Sequence, residues 1–264
     1  MDGLLTFLGT GTSMGVPTLG CGCAVCTSAD PRDRRLRPSA LVRWTEYDGH
    51  ERVVVIDTGP DFREQALRSG LKRVDAVFYT HAHADHILGL DDLRPLSFTA
   101  FREGGPIPLY ASPETSTVLE HIFEYTFSPL ATYPNRARVQ LEPLAGRNPV
   151  HGVEFIRVPV LHGQMEIAGF RMGRVAYLTD VSDIPEQSFA LLDGLDHMVL
   201  SALRHKPHPN HATVEQAIGW ARRIGARQTW LPHIAHELGH EVTNQALPAG
   251  IALAYDGLSL AVSL

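Results

Sequence analysis

Thr80-His81-Ala82-His83-Ala84-Asp85-His86 follows the apolar run Val74–Tyr79 and puts four metal-ligand side chains within six residues. His81, His83 and Asp85 recur every second residue, so in an extended segment leaving a strand they project to one side. His86 breaks that period and is free to serve a second ion. Imidazole and carboxylate suit a borderline divalent ion such as zinc or manganese, and mixed nitrogen and oxygen sites usually keep a position open for water. That water is how a metal hydrolase makes its nucleophile. The bland alternative is a polar loop that carries three histidines by chance. Even with 14 histidines in the chain, composition alone seldom yields this density and order.

The stretch resembles the His-x-His-x-Asp-His signature of the metallo-β-lactamase superfamily. That resemblance implies an α/β (α+β) chain folded as a four-layer αββα sandwich, with a two-metal site on the edge between the sheets. By the same resemblance His81 and His83 hold one ion, and Asp85 and His86 hold the other.

Length and charge bound the rest. A chain of 264 residues with 44% hydrophobic composition is long enough for one large domain over 1–264 with a full core. A net charge of −6 excludes bulk attraction to nucleic acid or anionic lipid, so any anion must be bound locally. No apolar run approaches the ~20 residues of a spanning helix. The start Met1-Asp2-Gly3 has neither the basic nor the apolar region of a signal peptide, so the expected location is cytoplasmic. Three cysteines packed into Cys21-Gly22-Cys23-Ala24-Val25-Cys26 make a poor disulfide framework and suit a reducing compartment. Three thiolates at this spacing can wrap one zinc, but a closed site needs a fourth ligand, and reduced buried thiols are the plain alternative.

In chain order, Leu4–Leu8 reads as a strand running into the turn Gly9-Thr10-Gly11-Thr12-Ser13, without the helix that a dinucleotide fingerprint requires. The turn brings backbone near the site. Asp30–Arg37 is strongly charged and reads as an exposed excursion. Ser39–Trp44 and Arg52–Asp57 are strands joined across Tyr47-Asp48-Gly49-His50. Asp61–Ser69 is a helix with Asp61 as N-cap and Gly70 as terminator. Beyond the ligand stretch, Leu88–Leu96 reads as a short helix and Phe98–Gly105 as a flexible connection. Ile107–Ala111 is a strand, and Pro113–Phe123 a helix. Phe123–Tyr133 is rich in aromatics, for core packing or for a substrate entrance. His50, His121, His151 and His197 are isolated and read as surface or core residues.

The second half supplies further ligands. Phe155–Leu161 is a strand ending at His162, and Val175–Thr179 is a strand ending at Asp180, both where metal sites on sheet edges are built. By resemblance His162 completes the first shell and Asp180 bridges the ions, an aspartate there pointing to the phosphodiesterase branches. Met198–Ala202 and Gln228–Leu231 are strands. Between them runs Arg204-His205-Lys206-Pro207-His208-Pro209-Asn210-His211, a basic loop where a phosphate could dock, with Arg204 and Lys206 as its cations. Thr213 and Gln216 form a capping box for the helix to Ile224. His211 resembles the histidine that phosphodiesterases and tRNA 3′-processing nucleases of the superfamily use as general acid. His233 takes the place of the last ligand of the second ion.

His236, three residues on, completes a further resemblance. The bacterial cyclic phosphodiesterases of phosphonate breakdown join a histidine there to an N-terminal Cys-x-Cys-x-x-Cys cluster to hold a separate zinc. They also share the elements Gly9-Thr10-Gly11, Gly15-Val16-Pro17, Asn210-His211, Ala246-Leu247-Pro248 and Asp256-Gly257. The resemblance implies a zinc-binding loop at 20–27, with Cys21, Cys23, Cys26 and His236 as ligands of one structural zinc. It implies two divalent ions, zinc or manganese, on His81, His83, Asp85, His86, His162, Asp180 and His233, and Asp57 as a support of the ligand loop. Pro232 departs from the threonine common before the last ligand. The implied activity is hydrolysis of a small, cyclic phosphodiester such as 5-phosphoribosyl 1,2-cyclic phosphate. In that reaction a hydroxide between the ions attacks phosphorus, Asp85 and Asp180 balance the metal charge, and His211 protonates the leaving oxygen. A tRNA 3′-processing endoribonuclease would expect a long tRNA-gripping insertion and a basic surface, neither of which is visible. A thioester or lactone hydrolase on the same metals is the other alternative. Membrane partners are not expected, and whether the chain forms a homodimer is left open.

Overall fold

The computed structural model describes residues 1–130 and 133–264. Fourteen strands follow in order: β1 (Asp2–Gly9), β2 (Ser39–Thr45), β3 (Glu51–Ile56), β4 (Ala76–Phe78), β5 (Ile107–Ala111), β6 (Val139–Pro143), β7 (Arg147–Val150), β8 (Val153–His162), β9 (Met165–Met172), β10 (Val175–Leu178), β11 (His197–Leu200), β12 (Gln228–Leu231), β13 (Ile251–Leu253) and β14 (Ser259–Ser263). They form two seven-stranded sheets, ordered β14-β1-β2-β3-β4-β5-β6 and β13-β12-β11-β10-β9-β8-β7. In each sheet an antiparallel part passes into a parallel run, β3 to β6 in the first and β10 to β13 in the second.

Alternation along the strands explains the layers. Val54 and Ile56 of β3 face the second sheet, whereas Val53 and Val55 face the other way, into a cluster shared with Phe62, Ile87, Leu90 and Leu119. Between the sheets Phe78 stacks on Phe155 at 4.4 Å, with Phe170 edge-on. A third cluster packs helix Val214–Ile224 onto the outer face of the second sheet through Val214 and Ala217. Both faces of both sheets are therefore buried, which is the αββα sandwich that the signature implied. The capping box is present at Thr213 and Gln216, and Gly225 closes the helix at φ +70°.

Three expectations need correction. Asp30–Arg37 is not an exposed excursion: Arg35 is 1% and Asp33 7% exposed. The Arg35 guanidinium donates to Asp33 Oδ1 (2.9 Å), Ala235 O (3.0 Å) and Leu238 O (2.6 Å), so its charge is matched by Asp33 two residues away and its remaining donors by carbonyls about 200 residues away in sequence. Phe98–Gly105 is not a connection, because a helix spans Arg94–Glu103, preceded by the 3-10 turn Leu90–Leu93, and ends only at Gly104. Asp61 opens helix Phe62–Arg68 without capping it, since its carboxylate binds the Arg37 N–H and guanidinium instead. In the aromatic stretch 123–133, Glu124–Phe127 is helical and residues 131 and 132 lie outside the described residues. No helix among the described residues is long and apolar enough to cross a membrane.

Candidate metal centre

The strand ends build the site. Asp57 follows β3, His81 follows β4, His162 ends β8, Asp180 follows β10 and His233 follows β12, all on one edge of the sandwich. Asp57, Asp180 and His233 have φ of +62°, +56° and +58°, a left-handed conformation that costs a non-glycine residue about 1–2 kcal/mol. Three such residues at one site mean that the surrounding fold holds strained backbone there, as functional sites commonly do.

The ligand stretch departs from the extended reading at its end. His83 is extended, but Asp85 and His86 lie in a short helix, Ala84–Ile87. The helical turn swings Asp85 away from the His81 side and towards His86 and His233. Bonds from Thr58 N–H to His86 O and from Gly89 N–H to Thr58 O, both 2.8 Å, pin this turn to the loop after β3. A Cβ at Gly59 would lie 1.9 Å from Asp85 O, so only glycine permits the contact.

Ligand atoms of His81, His83 and His162 converge within 4.8 Å of one another, as do those of Asp85, His86 and His233. Asp180 lies between the two groups, joining His81 and His86 in one set and His162 and His211 in another. Its carboxylate oxygens are 2.9 Å from His233 Nε2 and 3.1 Å from His86 Nε2. Yet Nε2 of His81, His86 and His233 are all buried without a hydrogen-bond partner. Close approach without hydrogen-bond alignment means that these lone pairs point at shared places rather than at each other. Buried nitrogens so placed are costly unless something else binds them, and the donor set is what divalent metals take.

The opposite ring nitrogens fix which one is free. His86 Nδ1–H donates to Asp57 Oδ2 (2.7 Å), His162 Nδ1–H to Asn210 O (2.8 Å) and His81 Nδ1–H to Thr80 Oγ1 (3.0 Å). Thr80 Oγ1 and N–H donate in turn to Asp57, each at 2.8 Å, so Asp57 organises the loop from behind. His233 Nδ1 has no partner, and Pro232 before it offers neither a hydroxyl nor an N–H. Charge follows the same plan. Burial opposes the Asp180 carboxylate, but His233 and His86 outweigh it and hold its pKa well below the usual range. Burial likewise opposes Asp85, and His86 holds it at about 2. Burial pushes His81 well below its ordinary value and lowers His162, leaving both neutral as ligands must be. The carboxylates of Asp57, Asp180 and Asp85 overcome burial to hold His86 well above its ordinary value, so its Nε2 carries a proton that a metal would have to displace.

His211 lies against both groups, its ring 4.7 Å from those of His162 and His233 and its Nδ1 3.7 Å from Asp180 Oδ1. Arg204 is engaged by Glu237 at 3.0 Å and His205 by Glu215 at 2.6 Å, while Lys206 is exposed. His50, His121 and His151 are on the surface, and His197 accepts a hydrogen bond from Trp230.

A second group of side chains able to hold an ion joins the N-terminal loop to His236. His236 Nδ1 is 3.2, 3.4 and 3.5 Å from the sulfurs of Cys21, Cys23 and Cys26, close to the ~3.5 Å expected between ligand atoms around a tetrahedral zinc. The Cys26 N–H and His236 bring the Cys23 thiol down to about 6, the thiolate character that a metal needs. Sequence reasoning missed the residues that join this loop to the other centre. Arg35 braces Ala235 and Leu238 between and beyond His233 and His236. Asp256 accepts from Thr10 N–H (2.9 Å) and Oγ1 (2.7 Å), while Thr10 O accepts from Ile234 N–H (2.9 Å). In the sequence Asp256-Gly257 is only a pair shared with the cyclic phosphodiesterases, and nothing local marks it as a brace.

The chain matches the β-lactamase superfamily domain over residues 52–234. A solved structure described as a new diphosphatase from the PhnP family is 53% identical, with a TM-score of 0.91 over 99% of this chain and 98% of that one. Zn²⁺-bound PqqB from Methylobacterium extorquens is 21% identical, with a TM-score of 0.71 over 97% of this chain and 99% of that one, a likeness of fold. An octanoyltransferase from Porphyromonas gingivalis is 36% identical over 255 residues, which are 95% of this chain and 50% of that protein. The chain thus spans about half the length of that curated relative.

Proposed function

The chain belongs to the metallo-β-lactamase superfamily, and on that premise we propose that it is a two-metal phosphodiesterase acting on a small diester of phosphate. The observation that carries this reading is the placement of His211 against both ligand groups, at 4.7 Å from His162 and from His233. Its support from relatives is the 53% identity to a diphosphatase. The substrate class accordingly takes in a cyclic diester, such as 5-phosphoribosyl 1,2-cyclic phosphate, and a diphosphate linkage. The octanoyltransferase name belongs to a protein twice as long, and no residue here argues for acyl transfer.

His81, His83, His162 and Asp180 would hold one ion, and Asp85, His86, His233 and Asp180 the other, with zinc or manganese fitting the donors. When bound, such a pair supplies a water of lowered pKa and positive charge for the phosphoryl oxygens. The protein supplies the rest. Asp57, Thr80 and Asn210 hold three imidazoles in the tautomer that leaves Nε2 free. Burial depresses His211 to about 3, so before substrate binds the ring is neutral even with Asp180 3.7 Å away. To act as general acid His211 must take up a proton from solvent as the anionic substrate binds beside it, and it then gives that proton to the leaving oxygen, a step worth ~100 to 10,000-fold. Cys21, Cys23, Cys26 and His236 would hold a structural zinc, which requires reduced thiols and so a reducing, cytoplasmic setting.

Turnover by metal-loaded protein tests the reading. The panel is a ribosyl 1,2-cyclic phosphate, 2′,3′-cyclic nucleotides, an aryl phosphodiester, a dinucleoside diphosphate and a precursor tRNA. Opening of a diester or diphosphate that His211→Ala and Asp180→Ala both abolish is expected. Trimming of tRNA alone would turn the reading to a nuclease. No turnover with metals bound would refute it in favour of thioesters or lactones.

A further inference from the structure

The turn His208-Pro209-Asn210-His211 carries a second imidazole that the mechanism leaves idle. His208 and His211 face each other across it as an antiparallel bridge, their rings 5.0 Å apart and inclined by 42°. His211 in turn lies against His162 and His233, so His208 is the outer member of a row of imidazoles that starts among the ligand residues.

The turn is fixed in place. Asn210 O takes the His162 Nδ1–H at 2.8 Å, and the Ala212 N–H donates to Val181 O at 2.7 Å, next to Asp180. Gly163 packs so close that a Cβ there would be 2.4 Å from Asn210 Oδ1. The tautomer of His208 is fixed as well. Its Nδ1 accepts the Asn210 N–H at 3.2 Å, so in the neutral ring the proton is on Nε2, which then serves as a donor. Of the other candidates in this loop for holding an anion, Arg204 and His205 are already paired with Glu237 and Glu215, and Lys206 is exposed.

We infer that His208 is a substrate-binding residue of this site, its Nε2–H donating to a non-bridging oxygen of the phosphoryl group beside His211. The inference rests on the phosphodiesterase reading and deepens it. A neutral donor on the outer side of His211 recognises the oxyanion by hydrogen bonding while Asp180 and its neighbours organise the inner side.

The test compares wild type, His208→Phe and His208→Gln, each metal-loaded and with metal content measured. Phe keeps a ring against His211 and removes the donor, whereas Gln keeps an N–H donor. Inorganic phosphate binding is measured by calorimetry, and KM and kcat on an aryl phosphodiester. His208→Phe is expected to weaken phosphate binding and raise KM about tenfold, the size of one hydrogen bond to a charged oxygen, with metal content unchanged. His208→Gln is expected to recover most of that loss. Phosphate affinity and KM of His208→Phe within twofold of an active wild type would overturn the inference alone. A wild type that neither binds phosphate nor turns over any diester would overturn the phosphodiesterase reading, and this inference with it.

Discussion

Asp57→Asn separates organising a ligand from being one. Asp57 is fully buried and accepts three hydrogen bonds, from Thr80 N–H, Thr80 Oγ1 and His86 Nδ1. Asparagine has nearly the same shape and tolerates the left-handed backbone at this position, so the loop has no steric reason to move. One end of the amide, however, is a donor. With its oxygen on the Thr80 N–H, its NH₂ faces His86 Nδ1, which must then become the acceptor. The ring proton moves to Nε2, the nitrogen that lies 3.1 Å from Asp180 and belongs to the Asp85, His86 and His233 group. Losing an outer partner of this kind typically weakens metal binding ~10 to 100-fold, or about 1.4–2.7 kcal/mol. The ion on His81, His83 and His162 should be less affected, because Asp57 reaches that group only through Thr80 and His81, whereas His162 is oriented by Asn210. Calorimetric titration with Mn²⁺ should therefore show one site close to wild type and one weakened by that factor. Nitrogen-15 NMR of the metal-loaded variant should show His86 still protonated at Nε2, where the loaded wild type should not. Two sites of wild-type affinity in a folded Asp57→Asn protein would refute the assignment of tautomer control to Asp57.

Other residues give further tests. Arg35→Met breaks a buried ion pair and the bonds to Ala235 and Leu238, so it should cost about 3–5 kcal/mol in urea unfolding; a loss under about 1 kcal/mol would mean that Arg35 braces nothing. Gly59→Ala places a Cβ 1.9 Å from Asp85 O, and should cost more in metal binding at the Asp85 and His86 group than at the other, as read by metal content. Burial raises the Asp256 carboxyl to about 6, against hydrogen bonds from Leu36 and Thr10. Its folded pKa then exceeds the unfolded value of about 3.9, so the proton it holds favours folding below pH 4, and that stability is lost as pH rises through 6. The full swing is about 3 kcal/mol. Relative to wild type, Asp256→Asn should flatten the fall in urea midpoint between pH 4.5 and 7.

What could be read from the chain depended on how far apart the interacting groups lie in sequence. His81, His83, Asp85 and His86 are neighbours, and the strands β3, β4, β8, β10 and β12 show as short apolar runs, but the edge on which they converge is implied only by the superfamily resemblance, because strand order is not written in the runs themselves. The helical turn that redirects Asp85 was hidden because four residues carry too little propensity to outweigh an extended flank. Phe98–Gly105 reads as a connection because its aromatic residues suggest no periodic face, and Gly104-Gly105 marks where the helix Arg94–Glu103 stops rather than a loop that begins at Phe98. Arg35 was misread for a stronger reason. A run of arginines and aspartates is normally solvated, and only acceptors at Ala235 and Leu238, far along the chain, make burial affordable. The same distance explains why the left-handed backbone of Asp57, Asp180 and His233 left no trace in composition. Each follows a strand whose register is set by its neighbours, and the next segment must turn at once to carry its side chain over the sheet edge. The strain is thus borne by the residues that build the site, and the packing of the surrounding strands is what holds it.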